Sequence, residues 1–108
     1  MLQGTIIENS LADKSILKSL KIERTRESHD WILHSVFISP EQLPELAHSL
    51  ADGPWYAHFW EPGKDVIQVV FKDQQFEIDV RDRLTWVKAI AYGKALGIPE
   101  EQLDFVIE

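Results

Sequence analysis

Four histidines, His29, His34, His48 and His58, are the side chains of this chain best suited to proton transfer near neutral pH. No pair of them stands at a metal-binding spacing. There is no His-Glu-x-x-His and no His-x-His, and the chain contains no cysteine. No metal site is expected, and neither disulfides nor a thiolate nucleophile can form. His29 falls in the turn-forming stretch Glu27-Ser28-His29-Asp30 and His48 on a helix flank, where both are expected to be solvated. His34 and His58 stand among apolar residues in strand-like runs. They read either as core histidines, each donating one hydrogen bond, or as a pH-sensitive, ligand-contacting pair.

Two carboxylates come next. Glu77 and Asp79 alternate with Phe76, Ile78 and Val80, so both point to the same side of a strand, near Gln68. Paired carboxylates beside an amide can do acid–base work or hold a cation, and they can equally be ordinary polar facing. His58 or His34 acting with Glu77 or Asp79 at the sheet is thus one enzymatic reading. A serine or threonine nucleophile finds less support. Ser10, Ser39 and Thr85 sit where helix caps belong, and no Gly-x-Ser-x-Gly is present. The glycines, Gly4, Gly53, Gly63, Gly93 and Gly97, are too scattered to cradle a phosphate. No cofactor is expected.

The densest group of special side chains is Trp55-Tyr56-Ala57-His58-Phe59-Trp60. It opens a run of three antiparallel strands, about 55–60, 65–71 and 76–80, separated by Glu61-Pro62-Gly63-Lys64 and by Lys72-Asp73-Gln74-Gln75. With two-residue loops at Pro62-Gly63 and Asp73-Gln74, one face collects Tyr56, His58, Trp60, Ile67, Val69, Phe71, Phe76, Ile78 and Val80. The other collects Trp55, Ala57, Phe59, Val66, Gln68, Val70, Glu77 and Asp79. The first face is nearly all apolar and is the expected core. The second is too apolar for a plain solvent face of an antiparallel sheet. Part of the same chain can cover it (the N-terminal unit or the 103–107 tail), as can a second subunit in a homodimer, or it can be an open ligand face. Trp55, Phe59, Gln68, Glu77 and Asp79, with His58, are the candidate binding residues.

The remaining elements position this meander. A strand is predicted over residues 2–8. Ser10 with Asp13 reads as a capping box opening a short helix, with Ile16, Leu17 and Leu20 as its stripe. Ile22 to Arg26 reads as a charged edge strand and Trp31 to Ile38 as a central one. Ser39-Pro40-Glu41-Gln42 is a helix start, and Pro44 places the regular helix after a separate first turn. A last helix over 83–96, with Trp86, Val87, Ile90 and Ala91 inward, ends at Gly97-Ile98-Pro99. The apolar tail Leu103, Phe105, Val106 and Ile107 is expected to dock. The sum is one α+β domain over residues 1–108. Its mainly antiparallel sheet has four to six strands, and two or three helices pack mostly on one face.

Charge narrows the partners. The net charge of −7 is uneven: residues 1–39 carry five bases and five acids, residues 40–108 six bases and thirteen acids. Such a balance repels a phosphate backbone, so nucleic acid is not an expected partner. The local exception is Lys14, Lys18, Lys21, Arg24 and Arg26, either a solvated face or a patch for an acidic partner. No apolar run approaches a membrane span and the N-terminus lacks a signal-peptide pattern, so a cytoplasmic home is expected. The preferred reading is a non-enzymatic binding or self-association module that uses the mixed sheet face. An acidic regulatory protein that meets a basic partner stands beside it and the enzyme.

Overall fold

The computed structural model describes residues 1–103 and residue 105. Its main elements are β1 (Leu2–Ile7), β2 (Lys21–Ser28), β3 (Trp31–Ile38), α1 (Leu43–Ser49), β4 (Ala57–Trp60), β5 (Val66–Phe71), β6 (Gln74–Asp79) and α2 (Val87–Ala95). The strands form one six-stranded sheet in the order β2-β3-β1-β4-β5-β6, antiparallel throughout. β1 thus slots between a hairpin, β2–β3, and a meander, β4–β6. Its seam with the meander is short, Gln3 opposite Trp60 and Gly4 opposite Phe59. Gly4 has no alternative there. A Cβ would meet Phe59 Cδ1 at 2.5 Å and the carbonyl oxygen of His58.

The meander has the two faces its alternation predicts, although its loops differ. Trp60 pairs with Ile67, and the second turn is Lys72-Asp73, with Asp73 at φ 55°. Each register is displaced by an even number of residues from the two-residue-loop reading. An even displacement leaves every side chain within the strands on its expected face, while Trp55, which precedes β4, leaves the mixed face and turns to Trp31 instead. Val69 therefore lies beside His58 and Phe76, and Gln68 beside Phe59 and Glu77.

The helices divide between the faces rather than sharing one. Leu43, Leu46, Ala47 and Leu50, in and just after α1, pack with Ala57, Phe59 and Val70 on the mixed face, together with Leu2, Ile6, Val36 and Ile38. The N-terminal segment completes this layer through Leu11, Ile16 and Leu20. It is stitched to the end of α1 by Ala12 N–H donating to the Ser49 carbonyl at 2.8 Å and Ala51 N–H donating to that of Ser10 at 2.8 Å. The chain itself therefore covers Phe59, whose exposure is 0%. On the opposite face, Trp86 and Ala89 cover Ile67, Val69, Phe71 and Ile78, joined by Ile98, Leu103 and Phe105. The tail docks through Leu103 and Phe105, while Val106 and Ile107 lie outside the described residues.

Local signals were read correctly in kind and shifted in detail. Residues 14–19 form a 3-10 segment rather than a helix opened by Ser10. Asp13 is its cap, accepting from Ser15 N–H at 3.0 Å, while Ser10 Oγ–H donates back to the Ile7 carbonyl at 2.6 Å. Gln42 Oε1 accepts from Ser39 N–H at 3.0 Å, and the turn Pro40–Gln42 is distinct from α1, as Pro44 requires. A 3-10 turn, Arg83–Trp86, likewise precedes α2. Its tighter winding changes the helical phase, so Val87 is 58% exposed instead of inward and Ala89 and Gly93 are the buried residues of α2. Gly93 admits Leu103, whose Cδ2 would lie 2.7 Å from a Cβ at that position. Gly97, at φ 92°, closes the helix while Ile98 N–H donates to the Gly93 carbonyl at 3.0 Å. Among the described residues, no helix is long and apolar enough to cross a membrane.

Candidate functional site

The layer on the α2 face is too narrow for the sheet beneath it. Strands lie ~4.8 Å apart, so six of them span about 24 Å between the outer axes, whereas a helix with its side chains is ~10–12 Å wide. Among the described residues, α2, Leu103 and Phe105 pack over β4–β6, and none packs over β3 or β2 on that face. A groove of about 490 Å³ opens at the step, with Thr5, Ile7 and Leu33 in its floor and His58 and Trp60 toward its covered side. Pro54, Trp55 and Tyr56 wall one end, and Ile98 and Gln102 contribute from the layer above.

Each wall has a local cause. Gly53, at φ 115°, and Pro54 turn the chain out of α1 and deliver Trp55 across to Trp31, which directly follows the β2–β3 turn. The two indoles meet edge to face, with centroids 5.8 Å apart and planes at 63°. Trp31 remains 47% exposed. Alternation then places Tyr56, His58 and Trp60 in a ladder on one face, with centroid spacings of 6.2 Å and 5.7 Å. Phe105 supports this ladder from behind, 5.6 Å from Tyr56 and 6.2 Å from His58. Tyr56 O–H donates to the Gln102 carbonyl, which ties the ladder to the layer above.

Among the described residues, one Lys or Arg side chain reaches this groove. Arg26 on β2 stands beside Leu33 on β3, which stands beside Ile7 on β1, so the three form a row across the sheet. Lys21 and Arg24 share that face of β2, because they pair with Phe37 and Ser35 on β3. Lys21 sits 5.5 Å from the centre of the Phe37 ring. Arg24 and Arg26 make no ion pair among the described residues.

The sequence-derived candidates do not converge. Phe59 is sealed under α1. Gln68 and Glu77 lie at the outer end of that same face, where Gln68 Nε2–H donates to Glu77 Oε1 at 2.9 Å and Gln75 Nε2–H to Gln68 Oε1 at 3.1 Å. Asp79 Oδ1 accepts from Arg81 N–H at 2.9 Å and serves the turn after β6. His58 occupies the opposite face from Glu77 and Asp79, and His34 lies in the other half of the sheet. Of the candidate residues, only Trp55 and His58 line the groove. In the sequence, Arg26 stands out only within the basic stretch from Lys14 to Arg26 and Trp31 only as the start of a strand, and neither is joined to the Trp55 cluster, although the alternation that groups Tyr56, His58 and Trp60 points to the ladder.

His34 has its own partners. Its Nε2 lies 3.0 Å from Glu8 Oε1 and its Nδ1 2.8 Å from Thr25 Oγ1, while Lys14 Nζ stands 3.8 Å from Glu8 Oε2. Thr, His and Glu in that order resemble a nucleophile, base and orienting acid. Thr25, however, faces away from the groove, on the side of the sheet that carries α1. The described geometry makes His34 a buried tie between β3, edge strand β2 and the turn after β1, with both ring nitrogens satisfied. Among the described residues, no three His, Asp or Glu side chains gather as a metal site would require. No family model, curated protein or solved structure matches this chain.

Proposed function

We propose that this chain is a binding domain for a small, flat, largely apolar molecule, taken into the groove between the open and covered halves of the sheet. The observation that carries the reading is the aromatic lining: Trp31, Trp55, Tyr56 and Trp60 around about 490 Å³. That volume falls within the ~300–1,000 Å³ typical of small-molecule sites, which are usually apolar with a few polar groups. The ladder is preorganised by its own stacking and by Phe105, so little ordering cost remains for a ligand to meet.

The four tryptophans provide the test. Trp31, Trp55 and Trp60 line the groove. Trp86 is buried elsewhere, its Nε1–H donating to the Asp79 carbonyl at 2.8 Å. Titration with 1-naphthalenemethanol and, separately, 1-naphthoate is expected to shift the three groove indole N–H signals in NMR spectra and to leave that of Trp86 nearly still. If neither probe moves them, or if all four move alike, the reading fails.

Self-association through the open half of the sheet is a second reading, favoured by the exposure of Trp31. Two-fold pairing along β2 would bring Lys21, Arg24 and Arg26 of two copies onto one face, where like charges oppose each other. Sedimentation that shows a dimer weakened by Trp31→Ala would support this second reading despite that repulsion.

A further inference from the structure

We infer that the groove selects a planar ligand bearing one anionic group, a carboxylate or its equivalent, and that Arg26 is the residue that recognises it. This rests on the proposed binding function and specifies its chemistry. The groove is apolar apart from a few polar side chains, and Arg26 brings to it a full positive charge that no carboxylate among the described residues neutralises. The placement follows from register. Arg26, Leu33 and Ile7 form one row across three strands, so the guanidinium stands at the β2 end of an apolar floor. On the β4 side stand Tyr56 and Trp60, and Trp55 reaches from there to Trp31. A flat apolar body lying on that floor against the indoles directs its far edge toward Arg26.

The recognition is chemical as well as positional. A guanidinium presents paired N–H donors in a plane that matches the two oxygens of a carboxylate, and it is less strongly hydrated than an ammonium, so it tolerates an apolar neighbour. Arg24 supplies the internal contrast. It lies on the same strand and the same face, two residues away, but does not line the groove. General attraction of anions to a basic strand predicts equal roles for the two arginines. A built site predicts that Arg26 dominates.

The experiment compares 1-naphthoate with neutral 1-naphthalenemethanol, two probes of nearly the same shape, by the indole N–H titration. The unaltered chain is expected to bind the anion roughly five- to tenfold more tightly, a partly solvent-screened charge-assisted contact. Arg26→Gln should bring that ratio below about twofold, Arg26→Lys should leave it intermediate, and Arg24→Gln should leave it almost unchanged. β2 is solvent-exposed along its whole length, so these variants are expected to keep the unfolding midpoint and the Trp86 signal of the parent. Equal affinity for the two probes, with the groove signals still moving, would overturn the anion preference and leave the binding function standing. An equal loss in the Arg24 and Arg26 variants would overturn Arg26 as the recognition residue. If neither probe binds, the binding function falls and the inference falls with it.

Discussion

The two halves of this one sheet follow the same rules of pairing and differ in what covers them. The meander β4–β6 is layered on both faces, by α1 with the N-terminal segment on one side and by α2 with the tail on the other. Phe59, Ile67, Val69, Val70, Phe71 and Ile78 are at most 1% exposed, and three of its polar residues, Gln68, Gln75 and Glu77, are bonded to each other on the α1 face. In the hairpin β2–β3, β3 is covered on one face and β2 is exposed along its whole length. The other face of β3 keeps Trp31, Leu33 and Phe37 partly in water beside three cations. The meander half commits Phe59 and Phe71 to the core and presents Tyr56 and Trp60 at its edge in the groove, whereas the hairpin half holds Trp31 at the surface, where it is free to meet something else. The boundary between the halves is the β1–β4 seam, and the groove lies along it.

If that division is right, substitutions should separate stability from binding. The largest effect is expected at Phe59→Ala, which opens a cavity under α1 and should cost about 3–5 kcal/mol in urea unfolding. A cost below about 1 kcal/mol would mean that the mixed face is not a core. Gly4→Ala attacks the seam. Its added methyl meets a ring and a backbone carbonyl, neither of which can swing aside easily, so a cost of about 1–3 kcal/mol is expected, with changed groove indole signals. An unchanged midpoint would show that the seam is loose. Trp31→Ala removes a side chain larger than that of Phe59 from the open half. It should cost only about 0.5–1.5 kcal/mol, the worth of an edge-to-face aromatic pair, yet weaken probe binding several-fold. If it destabilises as much as Phe59→Ala, the contrast between the halves collapses.

Much of the covered half was legible because strand alternation is robust to loop length. The first loop of the meander is longer than two residues and the second is a two-residue turn one position earlier than expected, and the faces survive because each displacement of register is even. The apolar character of Trp55, Phe59, Val66 and Val70 signals a cover, which Phe59 and Val70 receive, while Val66 is 38% exposed and Trp55 turns to the groove. What sequence could not say is which helix supplies that cover, since the stripe of α1 fits either face. The phase of α2 was lost for a related reason: a 3-10 turn ahead of it rotates Val87 outward, and no residue in Arg83–Trp86 advertises that turn. The groove was the least legible feature. It depends on β1 entering between β3 and β4, a strand order in which chain neighbours are not sheet neighbours, and only that order brings Trp31 to Trp55 and Arg26 to the floor. Without it, the cluster around Trp55 directed attention to Phe59, Gln68 and Asp79 on the covered face.

The smallest effect concerns how the cover itself is fastened. Asp13 caps the 3-10 segment that inserts Ile16 beneath the sheet, accepting from both Ser15 N–H and Ser15 Oγ–H, at 3.0 and 2.6 Å. The Ser15 hydroxyl, and then its backbone N–H, favour the ionised carboxyl and hold its pKa below the ordinary 3.8. A depressed folded-state value means that the carboxylate stabilises the fold at pH above 3.8 and that this contribution is lost as pH falls through the lowered value. Glu61, held below 4.5 by Lys64, has the same sign at the β4–β5 loop. Asp13→Asn keeps the shape and removes the titration. Its unfolding midpoint should lie slightly below that of the parent near neutrality, and the gap should close between about pH 5 and about pH 2 as the parent's own carboxyl is neutralised. Because the cap secures only the covered face, the shifts that 1-naphthalenemethanol induces in the groove indoles should be the same in parent and variant at neutral pH. A gap that stays constant through the acid range would show that the carboxylate charge is not what fastens this segment. Altered groove shifts would show that the two halves are coupled through the cover as well as through the seam.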